Sequence, residues 1–361
     1  MLPVLPLPPF VTQRIDLLPL ESFYRAVLGI PRHVVIVTQG DILAILEAFL
    51  TTYPFGEKRT FLCASTDGVL LGQLCDALPQ EDTVFLFLAR RPEEFWGLLA
   101  FFALQHRKRI LIGEPHGAFA ECARECFVPF LPADIPCFSF WQRSTFLYLP
   151  LNVCRIPPEE VERGFKEGYA SLREVALRTA LVLSQVLERK SRIYCVTDNL
   201  LLKRVTASFV PLLEECLGKK GSLRITSSGD LFSEREEIPR SLVLFIREGT
   251  RQKLQVRIPQ TFFSSSGLFA QKELLRCSLA DVRNAEKEVL QFLLRQMGES
   301  FLVIDVPELS PFFVGQYMAF LQCLACYCAW LRGIDIFSEP PLVQFERSVI
   351  SFLAKQREGE A

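Results

Sequence analysis

Few side chains in this sequence combine a reactive type with a meaningful spacing. Thr38-Gln39-Gly40-Asp41 stands between a β-branched run and an apolar-periodic stretch. That is the order of an anion cradle, in which the amides at a helix start face an anion. Asp41 reads as the helix N-cap, and its carboxylate would occupy and repel the place of a phosphate. Arg90 and Arg91 precede Pro92-Glu93-Glu94. The two guanidiniums could bind phosphate by charge, or lie as a solvated pair before a helix whose first turn holds the glutamates. Cys323, Cys326 and Cys328 form a C-x-x-C-x-C pattern inside an apolar run, so they read as core rather than as metal ligands, which would need one face and a fourth partner. His116, after Glu114-Pro115, reads as an ordinary loop histidine. No dinucleotide fingerprint, P-loop, zincin or serine-hydrolase motif occurs.

The elements that must position these groups alternate regularly. Strands are predicted at 33–37, 60–64, 83–89 and 109–113, with helices at 42–50, 68–78 and 119–126 between and after them. This pitch means parallel βαβ units and a doubly wound sheet. A long helix is predicted over 159–188. A second alternation follows: strand 192–196, helix within 200–217, strand 242–247 with 253–258 as its hairpin partner, helix 279–297 and strand 301–306. The apolar run from Ala319 to Leu331 reads as a buried helix too short to span a bilayer. Met1 to Pro9 carries four prolines and reads as an extended arm.

Composition bounds the partners. The chain has 361 residues, half of them apolar, with 12 Cys and a net charge of −1. It can bury a large core, and neither nucleic acid nor an anionic membrane is favoured by charge. Cysteines scattered through apolar segments, and an N-terminus without a basic region before an apolar core, point to reduced thiols in a cytoplasmic protein.

The order of parts from residue 301 onward carries a resemblance. Val306-Pro307-Glu308-Leu309 leads through Gly315-Gln316 into the apolar helix, then to Gly333-Ile334-Asp335-Ile336-Phe337-Ser338-Glu339-Pro340-Pro341. This resembles the C-terminal end of the phosphoglucose isomerase family, and weaker matches run back to Val34. The resemblance implies an α/β fold of two sugar-isomerase-type (SIS-like) α/β/α domains with mainly parallel sheets: an arm over 1–30, a first domain over 31–155 and a second over 156–361. It implies a homodimer, a phosphorylated sugar as ligand, and no cofactor.

Residue by residue, the same resemblance makes Glu215, in Glu215-Cys216-Leu217-Gly218-Lys219, the candidate base that takes the sugar C2 proton. Gly40, Arg90, Arg91 and Lys219 are then the candidates for holding substrate. Other positions depart from the family. The hydroxyl-rich phosphate loop is replaced by Leu88-Ala89-Arg90-Arg91. The arginine that steadies the enediolate falls at about Ser139. The ring-opening histidine falls at Phe232, and no histidine follows His116. The final glutamine and lysine fall at Glu339 and Glu346, with Arg347 turned about 100° away on a helix. Only the base keeps a counterpart, so the sequence predicts an inactive or weakly active relative of glucose-6-phosphate isomerase. Two alternatives stand beside that reading: an active isomerase with a rearranged site, or a non-catalytic sugar-phosphate-binding or protein-interaction module.

Overall fold

A computed structural model of the chain describes residues 17, 22–23, 31–53, 59–90, 93–133, 138–218, 220–233, 238–248 and 279–335; the side chains of 138–140, 232–233, 240 and 279–283 are not described. The fold is α/β, with two parallel sheets.

The first sheet is built from β1 (His33–Thr38), β2 (Arg59–Ala64), β3 (Thr83–Leu88), β4 (Lys108–Gly113) and β5 (Phe130–Pro132), in the order β2-β1-β3-β4-β5. All its pairings are parallel. The unbroken apolar runs of β1 and β3 follow from burial on both faces. Val34 and Ile36 point into one core and Val35 and Val37 into another. Helices α1 (Gly40–Thr52), α2 (Gly68–Ala77), α3 (Glu94–Ala103) and α4 (Ala118–Cys126) connect these strands. The three-residue strand β5 carries too little pattern to be read from sequence.

A 3-10 turn (Phe138–Arg143), α5 (Thr145–Val153), α6 (Pro158–Ser171) and α7 (Arg173–Arg189) lead to the second sheet. The single helix expected over 159–188 is broken at Leu172, so that both α6 and α7 can bury a face against one partner, the helix at 311–332. The second sheet has β6 (Arg192–Val196), β7 (Leu223–Thr226), β8 (Ser241–Glu248) and β9 (Phe301–Val306), in the order β7-β6-β8-β9. Helices α8 (Leu200–Cys216), α9 (Ser228–Ser233) and α10 (Leu279–Gln296) connect them. Here the sequence expectation needs correction. β8 is flanked on both sides, by β6 and β9, and has no free edge for residues 253–258 as a hairpin partner; that segment lies outside the described residues.

Helix α11 (Pro311–Arg332) is the axis of the fold. Its start is set by the Ser310 side chain, which accepts from the Phe313 amide, and by Pro311 in the first turn; Gly333, left-handed at φ 65°, ends it. It packs on α6, α7 and α8. The approach of α6 is so close that a β-carbon on Gly164 would stand 1.9 Å from the Phe312 carbonyl oxygen, and one on Gly315 2.2 Å from that of Val161. Glycine is the one residue that fits either place. At 22 residues with a mean hydropathy of 1.4, α11 is long and apolar enough to cross a membrane, but 78% of that window is buried inside the fold. Its apolarity serves a shared core that draws on both sheets, worth about 1.5–3 kcal/mol per large side chain buried.

Candidate functional site

In an open parallel sheet, ligands bind beyond the carboxyl ends of the strands, where the strand order reverses. In the first sheet that point lies between β1 and β3. The described residues meeting there are Gln39, Gly40 and Asp41 after β1, Ser65 after β2, and Ala89, Arg90 and Glu93 after β3.

Gln39, not Asp41, is the N-cap residue of α1; its backbone is extended and its side chain makes no cap. Instead its Oε1 accepts a hydrogen bond from Ser65 Oγ at 3.0 Å, tying the ends of β1 and β2 together. Gly40 takes φ +59°, a left-handed conformation that costs other residues energy. Asp41 falls in the first turn, where a carboxylate is favoured by the helix dipole. Burial, and then the nearby Glu93 charge, push its pKa up despite the opposing pull of Arg90.

Arg90 is not the solvated residue that its charged neighbours in sequence suggest. It is 4% exposed, and its Nη2 donates to Glu93 Oε1 at 2.7 Å. Asp41 Oδ2 lies 4.0 Å from the same nitrogen, and the guanidinium carbon lies 5.7 Å from the centre of the Trp141 ring. Glu93 bends back from the head of α3 so that its Oε1 stands 3.1 Å from where a β-carbon on Gly40 would be. Glu94 is buried and accepts from the Ala118 amide at 2.6 Å, capping α4. A β-carbon on Gly117 would lie 2.3 Å from that carboxylate, so this cap depends on a glycine. The strand ends therefore gather two carboxylates, Asp41 and Glu93, around one described guanidinium.

Glu215 lies in the last turn of α8 and is exposed. Helices α1 and α8 pack on each other. Tyr53, at the tail of α1, has its phenol pushed up in pKa by burial and then by Glu248, and Asn199 at the head of α8 donates to Glu248 at 3.2 Å. Arg91, Lys219, Glu339, Glu346 and Arg347 lie outside the described residues, as do the side chains of Ser139 and Phe232.

Two polar clusters escaped sequence reasoning. Arg143 is buried and forks onto Glu162, with Nε to Oε2 at 2.9 Å and Nη2 to Oε1 at 2.6 Å. Tyr148 donates to Glu162 Oε2 at 2.7 Å, and Lys166 lies 3.5 Å from Oε1. Burial first, then the Glu162 charge, raise the Tyr148 pKa well above that of an ordinary phenol. This cluster ties the 3-10 turn and α5 to α6. In the second sheet, Asp198 accepts from the Ser228 amide and hydroxyl, each at 3.0 Å, and pairs with buried Lys287 at 3.2 Å. Burial would raise the Asp198 pKa, but these partners outweigh it and the net shift is downward. No group of three or more metal-binding side chains occurs among the described residues.

The two parallel, helix-covered sheets define a sugar-isomerase-type (SIS) α/β fold, and solved structures agree. A hypothetical protein from Thermus thermophilus matches with a TM-score of 0.74 at 19% identity, covering 95% of this chain and 88% of its own. A glucose-6-phosphate isomerase from Chlamydia trachomatis matches with 0.69 at 14% identity, covering 94% and 73%. A tagatose-6-phosphate ketose/aldose isomerase from Escherichia coli matches with 0.52 at 14% identity, covering 87% and 86%. At these identities the likeness is one of fold. No family model and no curated protein matches the chain.

Proposed function

We propose that this chain is a SIS-fold protein without working aldose–ketose isomerase chemistry, its first strand-end site closed by its own charges. One observation carries the reading: Arg90, the described cation of that site, is buried against Glu93, whose carboxylate stands over Gly40. Two solved neighbours are named for sugar-phosphate isomerisation. That reaction needs a base, an acid to open the ring, a cation near the enediolate and a grip on phosphate. Glu215, exposed in the last turn of α8, is the candidate base. The phosphate grip is opposed by Asp41 and Glu93, since carboxylates repel a sugar phosphate. The homodimer expected from the sequence belongs to the same reading and is measured by light scattering. The test is turnover of glucose 6-phosphate to fructose 6-phosphate by the purified chain. We expect none above background; turnover that disappears in Glu215→Gln would overturn the proposal.

A further inference from the structure

The closure of the site is specific in its chemistry. Phosphate and carboxylate are both oxygen anions that seek helix-start amides and guanidinium forks. Glu93 takes the guanidinium and stands beside the helix start. Its Oε1 takes Arg90 Nη2 at 2.7 Å, its Oε2 lies 3.5 Å from Arg90 Nε, and Oε1 stands over Gly40 at the head of α1. A buried guanidinium beside the start of a thirteen-residue helix, at a left-handed glycine, supplies the parts of an anion site.

We propose that Glu93 is a built-in counter-anion: it occupies an anion site formed by Arg90 and the head of α1, and keeps solute phosphate out. The inference rests on the reading that this site is closed in the native chain. Asp41, 4.0 Å from Arg90, is the second carboxylate facing the site and would move onto the guanidinium if Glu93 alone were lost. The test therefore uses two variants of the full chain, Glu93→Ala and Asp41→Asn/Glu93→Ala, with inorganic phosphate as the probe in calorimetry and melting experiments. The double variant should bind phosphate at least about tenfold more tightly than wild type. Adding Arg90→Met should abolish the gain. Should truncation prevent folding, Asp41→Asn/Glu93→Gln keeps the side-chain shapes and removes the charges. Folded variants that bind phosphate no better than wild type would overturn the proposal. So would failure of all of them to fold, which would make the pair a structural requirement rather than an occupant. Isomerase turnover by the wild type would instead sink the functional reading itself.

Discussion

The carboxylate of Glu93 lies 3.1 Å from the point where a β-carbon on Gly40 would stand, so two residues far apart in sequence share one small volume at the end of the first sheet. Gly40 meets two demands there, a φ of +59° and room for that carboxylate. Gly40→Ala should destabilise the fold by about 1–2 kcal/mol from the backbone alone. Chemical denaturation measures this; an unchanged midpoint would show that the head of α1 adopts another conformation.

Asp41 gives a pH-dependent outcome. Its pKa is raised in the fold, by burial first and by Glu93 as well. A raised carboxyl favours folding at low pH, and that contribution is lost as pH rises through the folded-state value. Asp41→Asn should therefore raise the melting temperature at pH 7, and the gain should fade as pH drops into the ordinary carboxyl range. A gain independent of pH would assign the effect to something other than ionisation.

The Arg143–Glu162–Tyr148 cluster joins segments of different helices within the buried core. Leaving one ion of a buried pair alone costs about 3–5 kcal/mol, so Arg143→Met and Glu162→Met should each be severe. Tyr148→Phe removes one hydrogen bond to a charged acceptor and should cost about 1.5–3 kcal/mol. The double variant Arg143→Met/Glu162→Met should recover much of the loss. Urea melts of the four variants measure the coupling, and additive losses would contradict it.

Helix contact at Gly164 and Gly315 makes a sharp contrast with an open glycine. A β-carbon on Gly164 meets a backbone carbonyl at 1.9 Å, whereas one on Gly72 in α2 meets nothing within 4 Å. Gly164→Ala must push α6 from α11 and should cost about 1–3 kcal/mol or more. Gly72→Ala, in an exposed helix interior, should stabilise by about 0.5–1 kcal/mol. Thermal unfolding of both checks the opposite signs.

These cases also show where the sequence was informative. The β-branched runs of β1 and β3, and the Ser310-Pro311 start and Gly333 stop of α11, are local signals, and each produced the element it implied. The pairing of Arg143 with Glu162, and of Gly40 with Glu93, is made by tertiary packing and left no local trace. Arg90 read as exposed because its sequence neighbours are charged; the neighbour that matters, Trp141, comes from a turn beyond β5. Leu172 breaks a continuous apolar period because two helices must reach α11, a demand that a single helix's pattern does not reveal.

The most direct test of the closed site is titration of the wild-type chain with glucose 6-phosphate by calorimetry at low ionic strength, where charge effects are least screened. We expect no saturable binding up to about 10 mM ligand, a bound weaker than roughly −3 kcal/mol. Saturable binding with Kd below about 1 mM, competed by inorganic phosphate, would contradict a site closed by Glu93 and Asp41.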